Sequence, residues 1–239
     1  MSEAVGGTLS ATEAPASMSF VQRIINIFVA PAKVFEFLAR KPVWVAPLIV
    51  VCVFAALIQG IIFNSDAGKE MTRQEFQKSP RAAQLSPEQV DRQIAMMGKI
   101  VPISTVIIGP IITFAAAGIV YLLISILLGG EITYKQTLAA WVHVGFIGLL
   151  QGAVATGIVL FRGVKPETSL AAFAPFLEED SFVYHFLQAF DLFVLWQLAV
   201  LAIGVGMIGR VGTRKAAISL YSALTVIALI VAGIRQAFS

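Results

Sequence analysis

The sequence predicts an all-α membrane protein: a bundle of five transmembrane helices, preceded by N-terminal interfacial amphipathic helices and carrying a helical loop between spans one and two. Three observations predict it. Of 239 residues, 58% are hydrophobic and only 13% charged, where soluble domains average about 45–50% apolar and about 25% charged. Uncharged runs recur along the chain at lengths near the roughly 20 helical residues that cross a hydrocarbon core. Dense basic clusters, Arg40-Lys41 and Arg210 to Lys215, crowd directly against the ends of such runs, as loops on a cytoplasmic face do.

Residues 1–19 are rich in Ala, Ser, Thr and Gly, with Glu3 and Glu13 but no Lys or Arg. They lack the basic start and short apolar core of a secretory signal and read as a disordered tail, which leaves span one as its own insertion signal. Over 20–41, Phe20, Ile24, Ile27 and Phe28 recur at helical spacing, Pro31 interrupts, and Val34, Phe35 and Leu38 recur again. Proline suits the first turn of a second helix, where its missing N–H has no partner anyway. Neither piece is long enough to span, and Arg23, Lys33, Arg40 and Lys41 punctuate them. Amphipathic helices with basic and aromatic residues lie in the interface plane. Packing on the protein's own surface is the alternative.

The remainder, 42–239, reads as the membrane domain, with spans at about 43–63, 104–128, 137–161, 192–209 and 216–238. Pro42 and Trp44 open the first. The second lies in an uncharged stretch, 100–130, that is longer than a bilayer needs, so tilt, a non-spanning first turn or a kink near Pro102 and Pro110 absorbs the surplus. Between them the loop 64–99 is charged but not formless. Ser86-Pro87-Glu88-Gln89 reads as an N-cap, a proline at the first helical position and a Gln that completes a capping box, so helix is expected from 87 to 97. The stretch 161–181 reads as an acidic loop. With the N-terminus inside, Lys and Arg divide almost evenly between the two faces. Density then decides for a cytoplasmic N-terminus, because the bases of 64–99 are spread among acids.

Polar and small residues inside the spans mark candidate sites. His143 and Gln151 lie on one side of span three, while Gly145, Gly148, Gly152, Ala155 and Thr156 form another stripe. Gly148 and Gly152 make a GxxxG, which lets helix backbones approach closely; the readings are packing within the chain or pairing of two copies. His143 is either a neutral, hydrogen-bonded imidazole or a proton relay. Span four opens at Asp191, either an N-cap that complements the helix dipole or a proton or cation site. Ala199, Ala202, Gly206 and Gly209 follow on one narrow stripe, for which the glycine stripe of span three is the natural neighbour. Gln197 and Gly204 share a second face, and Gln197 is expected to bond to His143 or Gln151.

No HExxH, P-loop, GxSxG or Cys/His metal spacing occurs, so no enzyme, catalytic residue, metal or other cofactor is expected. The single cysteine, Cys52, excludes an intrachain disulfide. Nucleic acid is excluded as a partner because no basic run interleaves with aromatics outside the apolar segments. The expected partners are the lipid bilayer and either a second copy (a homo-oligomer) or another membrane protein. Two functions stand: a non-enzymatic scaffold or partner-binding protein, and a small transporter or channel for protons, ions or lipid. Transport requires His143, Gln151, Asp191 and Gln197 to converge on one cavity.

The chain also resembles the Yip1 domain family, in its bacterial branch. The resemblance rests on Pro31, Phe35 and Leu38 as a PxxxFxxL pattern, on GGEITYKQTLAAW at 129–141, and on DLFVLWQLAVLAIG at 191–204 with RKA at 214–216. It covers about residue 20 to the C-terminus. The resemblance implies an integral protein of the bacterial cytoplasmic membrane with a cytoplasmic N-terminus, and no established chemistry. The DLYGP-type motif of eukaryotic members is absent, so their Rab GTPase and vesicle-traffic roles do not carry over. Many bacterial relatives have a proline in the middle of span three, where this chain has Gly145 and Gly148.

Overall fold

The computed structural model describes residues 17–77 and 85–238, so most of the expected tail lies outside the described residues. Its regular elements are helices: α1 (Phe20–Val29), α2 (Pro31–Arg40), α3 (Val45–Asn64), α4 (Asp66–Gln77), α5 (Pro87–Leu122), α6 (Tyr134–Arg162), α7 (Phe182–Gln188), α8 (Leu192–Ile208) and α9 (Thr213–Phe238). A π-helical turn, Leu123–Leu127, extends α5. Four of them are long and apolar enough to cross a membrane: α3, α5 with its π turn, α6 and α9. The helix α8 is equally apolar but has 17 residues.

The capping box at Ser86 forms, with the Gln89 amide donating to Ser86 Oγ and the Ser86 amide to Gln89 Oε1. Matching boxes start α1 at Ser19 and α6 at Thr133. The helix that opens at Pro87 does not stop near 97, however. It runs unbroken through Pro102 and Pro110. An internal proline removes the amide that would serve the carbonyl four residues back, here Gly98 O for Pro102. Asn64, at the end of α3, supplies the missing donor: its Nδ2 reaches Gly98 O at 3.0 Å as well as its own Gly60 O at 2.8 Å. A polar side chain from the neighbouring helix thus keeps the long helix whole.

Contacts sort into two ends. At one, Gln136 Nε2 donates to Ala39 O (2.8 Å), the Glu131 amide to Gly209 O (3.0 Å), and Arg210 pairs with Glu131 (2.8 Å). At the other, Lys165 pairs with Glu75 (3.3 Å) and Arg235 donates to Gln188 (3.0 Å). Residues 168–170 there pair with 190–192 through an antiparallel bridge. The acidic stretch after α6 is therefore folded, with a 3₁₀ turn, this bridge and α7, which Ser181 caps. The helices α6, α8 and α9 all run between the same two ends.

The pair α1–α2 is wedged into the first end. Ile27, Val34, Phe35 and Leu38 are fully buried in the core made with α6 and α8. Phe35 lies across Gly204 of α8, where a Cβ would stand 2.5 Å from Cε1 of the ring. On the opposite face of α1, Val21, Ile25 and Val29 are exposed.

Candidate functional site

Asp191 is the N-cap of α8. Its Oδ1 accepts from the Phe193 and Val194 amides (2.8 and 3.2 Å), and Oδ2 accepts from the Thr168 hydroxyl. Both carboxylate oxygens are thus engaged by the start of the helix and the strand-like segment beside it. Next to it, Glu167 is a hub. It accepts from the Ser169 amide (3.1 Å) and hydroxyl (2.5 Å), from Tyr184 Oη (3.4 Å) and from Gln188 Nε2 (3.3 Å). Burial opposes its charge, but the Ser169 and Gln188 hydrogen bonds and nearby Lys165 prevail and hold the carboxyl below its ordinary value. Within the acidic loop, the sequence reading did not single out Glu167.

His143 is fully buried on α6, and Nδ1 lies 2.7 Å from Ala139 O. A carbonyl only accepts, so Nδ1 carries the hydrogen, and Nε2 is left buried without a partner. Gln151 and Gln197 are half-buried, and neither bonds to His143. The expected bond from Gln197 to His143 or Gln151 is not made. Instead the Gln197 amide lies over Gly148, 3.6 Å from where a Cβ would stand.

The two small-residue stripes do not face each other. Gly152 packs on Ile58 of α3, whose atoms would come within 3.1 Å of a Cβ. Gly206 abuts the backbone at Gly212 and Thr213, and Gly209 abuts Ile124 of the π turn, each at 2.9 Å from a built Cβ. Ala202 is buried and Ala199 half-buried. The stripe on α8 makes room for the α8–α9 turn and the end of α5, because a tight reversal brings backbone against Gly206 before any other helix can reach it. Apolar grooves lie on the outside of the bundle: along α9 by Tyr221 and Thr225, between the π turn and α9, and between α3 and α5. None is lined by His143, Gln151, Asp191 or Gln197.

By sequence, Arg23 is one of the bases that punctuate the expected interfacial helices. In the structure it is 8% exposed. Its guanidinium lies 5.4 Å from the ring centroids of both Phe20 and Phe37. Nε and Nη1 are buried without hydrogen-bond partners, and burial lowers its basicity. Phe20 meets Phe146 edge-on at 6.2 Å, and Phe146 meets His143 at 6.3 Å. The Phe at i−3 from Arg23 is readable in the sequence; its other ring neighbour, Phe37, comes from α2.

The Yip1 domain matches residues 25–234. Membrane protein YknW of Bacillus subtilis (strain 168) is 30% identical over 231 residues, which cover 96% of this chain and 90% of that protein. No solved structure matches the chain. The match spans nearly every helix described above, from within α1 to the last turn of α9. This chain is a multi-pass membrane protein of the Yip1 domain family.

Proposed function

We propose that the protein is a non-enzymatic membrane scaffold that acts by binding, whether to a second copy of itself or to another membrane protein. The observation that carries this reading is the dispersal of the intramembrane polar groups. Asp191 is taken up by the start of α8 and by Thr168, His143 Nδ1 by its own helix, and Gln197 by the space over Gly148. A transport route needs such groups to line one water-filled path.

In this reading the bundle crosses the bacterial cytoplasmic membrane five times with the N-terminus in the cytoplasm. Seventeen residues of α8 rise about 26 Å at 1.5 Å each, and about 17 residues is the short limit for a span. Modest thinning of the bilayer accommodates the shortfall. Support for the fifth crossing comes from Asp191 and Gly209, which tie the two termini of α8 to the same opposite ends that α6 connects. The pair α1–α2 then lies at the cytoplasmic interface, with Val21, Ile25 and Val29 towards lipid.

A flux assay in liposomes, following proton and monovalent-ion movement with wild type, D191N and H143A, tests the reading. No flux above empty liposomes is expected from any of the three. Wild-type flux abolished by either substitution sinks it in favour of a channel or transporter.

A further inference from the structure

Helix α9 carries an exposed ridge, Ile218, Ser222 and Val226, spaced one turn apart. A groove runs along each side of that ridge, and all three residues line both. The first groove, about 750 Å³, has Arg214 at its head and Tyr221 and Thr225 along its wall. Those two hydroxyls are already engaged, Tyr221 Oη with Leu195 O (2.8 Å) and Thr225 Oγ1 with Tyr221 O (2.9 Å), so the wall is apolar in effect. The second groove, about 710 Å³, has Lys215 at its head and lies against Leu123 and Leu127 of the π turn. Both volumes fall within the roughly 300–1,000 Å³ of small-molecule sites.

Charge and length indicate what fills the grooves. Arg214 and Lys215 are adjacent, exposed, and stand in the first turn of α9, where the helix dipole is positive and favours anions. No acid lies in that turn. Arg210, the third base of this loop, pairs with Glu131, but among the described residues no carboxylate pairs with Arg214 or Lys215. The heads of the two grooves thus hold neighbouring cations with no counter-charge in the protein, the arrangement that takes an anionic lipid headgroup.

Below them, α9 rises about 18 Å from Lys215 to Ile227 along one groove, and as much from Arg214 to Val226 along the other. One leaflet of a hydrocarbon core roughly 30 Å thick is about 15 Å deep. Both grooves therefore stop near the bilayer midplane, although α9 itself goes on to Phe238. A transmembrane helix from a partner or a second copy would continue past that level, whereas an acyl chain ends there. Two grooves of one-leaflet length, converging on adjacent cations, match two chains that share one phosphate.

We propose that Arg214 and Lys215 hold the phosphate of a diacyl anionic phospholipid whose acyl chains lie on either side of the Ile218–Ser222–Val226 ridge. The guanidinium offers the phosphate two parallel N–H donors, and the ammonium adds a point charge. The site is a further function beside the scaffold reading and does not depend on it.

Intact-complex mass spectrometry of the full chain in detergent tests the site, with titration of dioleoylphosphatidylglycerol, dioleoylphosphatidylcholine and single-chain oleoyl-lysophosphatidylglycerol. Diacyl phosphatidylglycerol is expected to be retained in preference to both others. The double variant R214Q with K215Q changes only exposed side chains and is expected to melt as wild type does in lipid-free detergent. Its retention of phosphatidylglycerol should fall by about tenfold or more, the loss that removing two charges facing an anionic lipid brings. S222W, which places a bulky ring on the ridge between the grooves, should weaken retention of both diacyl lipids. Equal retention of phosphatidylglycerol and phosphatidylcholine by wild type, or a preference unchanged in the double variant, overturns the site. Single-chain lipid held as tightly as diacyl lipid overturns the two-groove seat. A dimer that S222W splits, with no lipid preference, assigns the ridge to a second copy and overturns the site as well.

Discussion

Phe35 of α2 lies across Gly204 of α8 so closely that any side chain at 204 would occupy the ring's place: a Cβ there would stand 2.5 Å from Cε1. The ring is fully buried and has nowhere to turn. G204A is therefore expected to destabilise the protein by about 1–3 kcal/mol despite the better helix propensity of Ala, and F35A by about 3–5 kcal/mol. In the double variant the clash is gone, so the G204A penalty should vanish. Thermal melts of the four proteins in one detergent check this, and additive losses would show that the two residues are not the coupled pair described.

Asn64 is expected to matter through Pro102 rather than through its own helix. N64L removes the donor to Gly98 O and leaves a part-buried carbonyl without a partner, at a cost of about 1–3 kcal/mol. Replacing the proline restores the backbone amide, so P102A should recover much of that loss in the double variant while doing little alone. Denaturation of the two singles and the double in detergent gives the comparison.

Glu167 makes the folded acidic loop pH-sensitive in a defined direction. Its folded-state carboxyl titrates below the ordinary glutamate value of 4.5. The stability it contributes is thus fully present above that value and is lost as pH falls through the lower, folded-state value. Melting temperature should decline over that acid range in wild type. E167Q should be less stable at neutral pH and show a flatter acid limb. An acid limb unchanged by E167Q would assign the sensitivity elsewhere.

Gly148 and Gly152 face Gln197 and Ile58 within the same chain, the neighbours that packing within one bundle requires. G152L is expected to lower the melting temperature without changing oligomeric mass in detergent. A clean shift in oligomeric state with an unchanged melt would move the motif to an interface between copies.

Orientation and span count are checked together by labelling. S10C should react with an impermeant thiol reagent from the cytoplasmic face, S86C from the outer face, and a C-terminal tag should be reached only from outside. Reaction of S86C from the cytoplasm alone would reverse the orientation. A C-terminal tag on the same side as S10C would remove the crossing by α8.

What the sequence made legible was the chemistry that a short segment completes by itself. Asp191 as a cap, the Ser86 box and Pro31 at a helix start depend on residues within a turn of one another. The partners of the glycines and of Arg23 were not legible, because they are set by which helix crosses where. Gly206 and Gly209 meet a turn and a π-helical end; no stripe on a helical wheel distinguishes those from a neighbouring span. Arg23 reads as an interfacial base because its own helix is amphipathic, and its burial beside Phe37 is decided one helix away. The continuity of α5 was hidden for the same reason, since the donor that heals Pro102 comes from α3.

The central claim, that the intramembrane polar residues share no aqueous route, is tested most directly by cysteine accessibility. H143C, Q151C and Q197C, each in a C52A background, would be exposed in native membrane vesicles to a charged, impermeant thiol reagent from either face, with S86C as the positive control. The account predicts labelling of S86C and of none of the three intramembrane positions until detergent is added. Reaction at H143C together with Q151C or Q197C in intact vesicles would contradict it and establish a water-filled path through the bundle.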